Sequence, residues 1–501
     1  MANASSSSSS SSRFTTSHVP ASPQADSSTY APRLRTAVVF TGTGTAGAYH
    51  AGVLKALAEA GVKVDLVAGR GVGAASALLG ALDARTRLWQ PSGAWHLPTV
   101  ARLYRWRLPW AVCGYALLVC ALVLSVPVLV QVAALLLYPL AYAAALTGLD
   151  GEGRLAAWFL RLIESTFSQS LFAVVIPRVA VLSLLAALLF LVLEYVTRRV
   201  TRHRRSMQGR PWWGALGAPV DASAAYAHFA GAFWQSPGRS GHASRVRAEA
   251  SRRYVEMLAD GLGQPGSAEL LLTVHDLDTR RDLVFAVLQE PWRRRFFQTS
   301  GTSRDGEVID VLEQGRGLVM DGLAAALTVP LVSEPHPLTF PVDSHWRGET
   351  HVLTDRPESL VRVLEEVSAA GAEQVIVVSA AAPVMAPHGL SSRQADPRAW
   401  LGQNLASQDS AAVRDAMTVL FDRFTGLYLI QPTHNPIGPL DFGGARDHRS
   451  DRDVPLGELI ALGYQDAYAQ FIEPVVGGSA EGVERPSEPR PPAVDTDLPL
   501  T

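Results

Sequence analysis

The residues Gly69-Arg70-Gly71-Val72-Gly73 stand between an apolar run, Val64 to Gly69, and a helix-forming stretch, Ala74 to Leu82. Strand, tight glycine turn and helix in that order make the frame of a nucleophile elbow, G-x-S-x-G, which lifts a serine oxygen clear of a sheet. Position 71 is glycine, so the frame carries no nucleophile. Ser76, the nearest hydroxyl, lies more than a helical turn beyond and reads as a small packing residue; a displaced nucleophile is the alternative. Upstream, the β-branched run Thr36 to Thr41 enters a second glycine turn, followed by a helix with apolar positions at Val53, Leu54, Leu57 and Ala60. Backbone N–H groups of such a loop bind an oxyanion or a phosphate. Gly42-x-Gly44-x-x-Gly47 also fits a dinucleotide fingerprint, with Asp65 near the spacing of a ribose ligand. Asp65 opens its strand where such an acid should close one, so nucleotide binding is the third reading. His50 reads as a hydrogen-bonded packing residue beside the loop. His275, Asp276 and Asp278 fit a turn with capping aspartates better than a metal site, and His336, His345 and His351 are too scattered for a ligand set. No metal or cofactor is expected.

The elements that must position these turns belong to a chain of 501 residues with a formal net charge of −2, which gives no whole-chain signal for nucleic acid. Lysine occurs only at Lys55 and Lys63. Arginine otherwise carries the positive charge, and with abundant alanine this suggests a GC-rich, bacterial coding sequence. Residues 1–32 are Ser-rich and lack the apolar core of a secretory signal; residues 477–501 are Pro-rich. Both read as disordered tails.

Two runs, Leu108 to Leu146 and Leu171 to Val196, are almost wholly apolar and long enough to cross a bilayer, which takes ~20 residues. The two cysteines, Cys113 and Cys120, lie inside the first run and read as helix-packing residues. Arg102, Arg105 and Arg107 precede the pair of runs, and Arg198, Arg199, Arg202, Arg204 and Arg205 follow it. The link from Gly148 to Ser170 is mixed in charge. The positive-inside rule then predicts an even number of spans with both outer flanks in the cytoplasm. Pro127 or Pro139 is expected to break the overlong first run, "RLAAWFLRLIESTF" to lie along the interface, and Trp106, Trp110 and Tyr195 to anchor it.

The stretch from Arg35 to Leu82 resembles the patatin-like phospholipases. In that family a first strand leads into a G-G-G-x-R-G loop followed by sequence like Gly47-Ala48-Tyr49-His50-Ala51-Gly52-Val53-Leu54-Lys55, and the next strand ends in the serine elbow. "LLLTVHDLDTRRDLVF" (Leu270 to Phe285), "AAALTVPLV" (Ala324 to Val332) and "WRGETHVLTDRPESLV" extend the resemblance more loosely. The resemblance implies an α/β fold, a three-layer α/β/α domain into which the transmembrane hairpin is inserted. Expected boundaries are 33–100 for the glycine loop and elbow, 101–205 for the insertion and 206–476 for the remainder.

The family's chemistry is a Ser–Asp dyad. Residue by residue, the serine slot is Gly71 and the acid slot Asp355, followed by Arg356 and Pro357 in place of glycines. Thr43 and Ala46 stand at the loop's middle glycine and its arginine. Gly42, Gly44 and Gly47 would bind substrate through the loop, over a cavity at Gly71 lined for an acyl chain. The expectation is therefore a multi-pass protein, its domain on the cytoplasmic side of a bacterial inner membrane, held by the hairpin at 108–196. It would be non-hydrolytic and act in binding lipid or acyl chains or in regulation at the membrane, its protein partner unspecified. An active lipid acyl hydrolase with a displaced nucleophile is the alternative.

Overall fold

The computed structural model describes residues 30–82, 85–148, 154–168, 170–201, 217–234, 244–264, 267–298, 304, 306–383, 397–447 and 452–477. The expected tails therefore lie outside the described residues except at their inner ends. There Tyr30 is buried and pairs its hydroxyl with the Lys63 main chain, so the packed chain extends into the stretch read as tail.

In chain order the first elements are β1 (Thr36–Thr41), α1 (Ala46–Glu59), β2 (Leu66–Gly69), α2 (Gly73–Ala81) and β3 (Arg105–Trp106). The insertion supplies α3 (Leu108–Leu146), α4 (Arg154–Thr166) and α5 (Ile176–Thr201). The chain returns through β4 (Val220–Asp221), α6 (Ser223–Trp234), α7 (Ser244–Gly261), β5 (Glu269–Asp276), β6 (Arg281–Val287) and α8 (Trp292–Gln298). Then come β7 (Val308–Asp310), α9 (Val319–Ala326), β8 (His336–Thr339), β9 (Thr350–Thr354) and α10 (Leu360–Ala369). β10 (Gln374–Ser379), α11 (Pro397–Leu420), β11 (Gly426–Ile430) and α12 (Leu456–Ala467) complete the domain.

Among the described residues, nine strands form one mixed sheet in the order β11-β10-β1-β2-β5-β6-β7, with β9 antiparallel to the end of β5 and β8 beside β9. The four pairings from β11 to β5 are parallel, which brings the carboxyl ends of β1, β2 and β10 to one edge. The central strands read as unbroken apolar runs because both faces are covered. Val38 and Phe40 face one core with α1, α2 and α9, while Ala37 and Val39 face a second core with α10 and α11. This is the three-layer α/β/α arrangement.

Among the described residues, α3 and α5 are the two helices long and apolar enough to cross a membrane. α3 runs unbroken through Pro127 and Pro139, contrary to the expected interruption, and its 39 residues span ~58 Å. A proline inside a helix removes one N–H, a loss that neighbouring helices and local adjustments absorb in apolar surroundings. The helices pack through small side chains: Cys113 and Cys120 are buried and free, and Cys113 Sγ donates to Ala187 O at 3.4 Å. Their leucines, such as Leu135 and Leu189, point outward and exposed. α4 lies against α3 through Phe159, whose ring meets Tyr138 edge-on at 5.6 Å. Arg202, Arg204 and Arg205, and the acidic link residues Asp150 and Glu152, lie outside the described residues.

Candidate functional site

The sheet's carboxyl edge collects the residues singled out from the sequence. β2 ends at Gly69, and the chain turns through Arg70 and Gly71 into α2. Gly71 has φ +57°, a left-handed conformation that suits glycine, at the elbow position. Asp355 follows β9 directly, and its carboxylate faces the Gly71 main chain. A Cβ on Gly71 would stand 3.0 Å from Asp355 Oδ2. Two positions far apart in sequence are thus brought together. The Asp355 backbone is fixed by Thr328, whose hydroxyl accepts the Asp355 N–H at 3.2 Å.

At the side-chain position of Gly71 itself, the expected cavity has no room. The space a side chain at 71 would take is filled by the Gly42 carbonyl, which a Cβ there would overlap. That carbonyl accepts the Val72 N–H at 3.0 Å. Further along the loop, the Thr45 N–H donates to Pro439 O at 3.0 Å and the Thr45 hydroxyl to Gly438 O at 2.9 Å. Gly44, at φ +64°, lies so close under Pro439 that a Cβ would overlap its carbonyl oxygen, and Gly47 would meet the Trp95 ring in the same way. Gly42, Gly44 and Gly47 therefore all sit at the turn, where Gly44 is covered by Pro439 and Gly47 by Trp95. The N–H groups of Thr45 and Val72 both have acceptors within the chain.

The site's charge comes from a residue that the sequence reading left without a role. Arg70 is fully buried, with Nη2 2.6 Å from Asp409 Oδ1 on α11 and Nη1 3.6 Å from Asp355 Oδ2. One guanidinium thus faces two buried carboxylates. Burial pushes Asp355 up to about 7, and Asp409's charge adds to this; Arg70 and the N–H groups of Arg356 and Gly71 pull back. Asp409 is raised as well, chiefly by burial, with Arg70 and Thr43 opposing. A signal for Arg70 did exist: it is the one charge between Asp65 and Asp83, and a charge in an apolar setting needs a partner. Asp409 gave no signal, because the pairing spans 339 residues.

His50 and Ser76 touch. His50 Nε2 faces the Thr41 carbonyl at 3.1 Å and so carries the hydrogen, leaving Nδ1 to accept the Ser76 hydroxyl at 3.3 Å. Burial holds His50 down at about 3, and both residues are enclosed. Asp65 accepts the Thr36 N–H and pairs with Lys63 at the amino end of the sheet, the opposite edge from the glycine loop. It therefore cannot meet a ribose bound there. Asp276 caps the β5–β6 turn, accepting from the Asp278 and Thr279 N–H groups and the Thr279 hydroxyl, while His351 Nδ1 lies 2.6 Å from it. His275 pairs with Asp282, and His336 with Asp321. These histidines are spread over separate partners, and among the described residues no group of three metal-ligating side chains gathers.

A three-layer α/β/α domain with a glycine loop facing a strand–helix elbow is an acyl-hydrolase type of architecture. The family model for patatin-like phospholipases matches residues 38–352, well over half of the chain, and the chain belongs to that family. The matched span encloses the apolar hairpin and ends just short of Asp355. Among curated proteins, none matches.

Proposed function

We propose that this chain is a membrane-anchored, non-hydrolytic member of the patatin-like family. Its domain faces the cytoplasm, and it serves lipid binding or regulation at the membrane surface. The observation that carries the reading is the slot beside Asp355: residue 71 has no side chain, and the Gly42 carbonyl stands where one would project. Losing the nucleophile of a hydrolytic triad lowers turnover by about six orders of magnitude, and no neighbouring carboxylate replaces it. Two N–H groups at the turn, those of Thr45 and Val72, are bonded within the chain. Anchoring is supported by two adjoining helices whose outward faces are leucine and valine. The test is turnover of phospholipid and p-nitrophenyl esters by the purified full chain, with labelling by a fluorophosphonate probe. Rates no higher than those of heat-denatured protein, and no labelling, are expected.

The Ser76–His50 hydrogen bond favours one alternative, an active hydrolase with a displaced nucleophile. Turnover abolished by Ser76→Ala would establish that reading and remove the first.

A further inference from the structure

The segment from Leu327 to Glu334 joins the slot to the neck of the hairpin. Leu327 O accepts the hydroxyl of Tyr104 at 2.7 Å, and Thr328 holds Asp355. Val332 O accepts the Val220 N–H of the β3–β4 neck, and Glu334 pairs with Arg107 at 3.5 Å. Arg107 in turn reaches Glu194 of α5 at 3.8 Å, so both long helices and this segment meet at one level. Tyr104, four residues ahead of α3, packs its ring 5.4 Å from Phe442, which itself covers Gly44. The edge of the sheet that carries the slot is thus the edge nearest the hairpin.

Between those attachments the chain turns sharply at Leu331. Its φ is +65°, the Val332 N–H closes back onto Pro330 O, and the side chain is 84% exposed. A leucine held out by a strained turn is unexplained by the domain's own packing. Beside it on the neck are the half-exposed Trp106, the exposed Leu108, and the exposed Arg102 and Arg105. Leucine, tryptophan and arginine at the foot of a hydrophobic helix are the side chains that partition into the headgroup region.

We infer that this face of the domain rests on the bilayer, with Leu331 and Trp106 inserted at the headgroup–acyl boundary, so that the rim of the slot lies against lipid. The occupant is the lipid surface because the face is continuous with the start of α3 and the end of α5, which places it at the plane where the hairpin would leave the membrane. The inference rests on the anchoring proposed above. It deepens that reading by assigning the domain an orientation that anchoring alone leaves free.

Spin labels test it on the full chain in nanodiscs of zwitterionic and anionic phospholipid. In a Cys113→Ser, Cys120→Ala background, single cysteines replace Leu331, Trp106, Val419 at the far end of α11, and Leu189 on the outer face of α5. The ratio of oxygen to nickel-chelate collision rates reads depth. Labels at 331 and 106 should show a ratio several-fold above 419 and below 189. A ratio at 331 equal to that at 419, with 189 in the bilayer, would overturn the docking and leave the anchoring in place. An aqueous label at 189 would overturn the anchoring and the docking together. Shielding of 331 from both reagents would mean a protein contact and would also overturn it. Leu331 is on an exposed turn, so its replacement does not depend on the core; normal melting of each variant is the check.

Discussion

Restoring the missing hydroxyl should damage the fold before it creates an enzyme. In Gly71→Ser the new Cβ enters the space of the Gly42 carbonyl, a backbone group that cannot rotate aside as a side chain would. The loop behind that carbonyl is held by the Val72 N–H on Gly42 and by Thr45 on Gly438 and Pro439. Serine at φ +57° adds strain of roughly 1–2 kcal/mol. Moving the loop breaks at least the Val72–Gly42 hydrogen bond and disturbs packing, a further cost of about 1–3 kcal/mol. The sum, ~2–5 kcal/mol, corresponds to a fall in melting temperature of roughly 3–8 °C for a domain of this size. The assay is thermal unfolding of the full chain in detergent, beside Gly71→Ala, which adds the same Cβ without the hydroxyl. The two variants should fall by similar amounts, and the serine variant should gain neither esterase activity nor fluorophosphonate labelling. A Gly71→Ser protein that melts like wild type, or labels, would refute the claim that the carbonyl closes the slot.

Arg70→Met leaves two buried carboxylates without their cation and should cost about 3–5 kcal/mol, read as a lowered melting temperature. Adding Asp409→Asn should recover part of that loss, and an unchanged melt in the single variant would show the ion pairs to be idle. Because Asp355 titrates near 7 when folded, well above its unfolded value, the folded state holds the proton more tightly. Asp355's contribution to stability should therefore decline as pH rises from about 4 to about 7, against an opposite contribution from buried His50, so the difference in melting between wild type and Asp355→Asn should change over this range; a difference independent of pH would contradict it. Reporters fused ahead of Arg33 and after Val476 should both register cytoplasm, and opposite sides would mean an odd number of spans.

The fold was legible because its central strands are apolar on both faces and its two glycine turns have fixed geometric tasks. Gly73 packs against the Phe40 main chain, where a Cβ would overlap the carbonyl, so the elbow's glycine signals the close passage of helix and strand. The apolar runs were equally legible, since their length and lack of charge are local properties. What stayed hidden depends on segments distant in sequence. Nothing in "NPIGPLDF" announces that Pro439 will lie on Gly44, and nothing in α11 announces Asp409 as the partner of Arg70. Both lie beyond residue 352, where the family match ends. The continuity of α3 through two prolines was also missed, because proline penalties are learned from helices in water, where a freed carbonyl is readily solvated.

Absence of the serine and closure of the slot are physically linked. A serine at 71 would need its Cβ volume, which the Gly42 carbonyl occupies. With glycine at 71 the Gly42 carbonyl stands at the Cβ position and accepts the Val72 N–H. The buried acid that remains then has no substrate proton to receive, and a lone buried carboxylate is costly. Arg70 meets this need but brings Asp409 with it, leaving one guanidinium for two carboxylates. If both ionise, the buried cluster keeps one uncompensated negative charge, which a single proton removes. Burial is the chief cause of the elevated Asp355 value and the Asp409 charge adds to it, which makes the closed slot most stable when that proton is bound. Asp409→Asn alone should therefore lower the Asp355 midpoint and move the decline in stability to lower pH. If the decline stays where it is in wild type, the two carboxylates do not share Arg70's charge, and burial alone sets the midpoint.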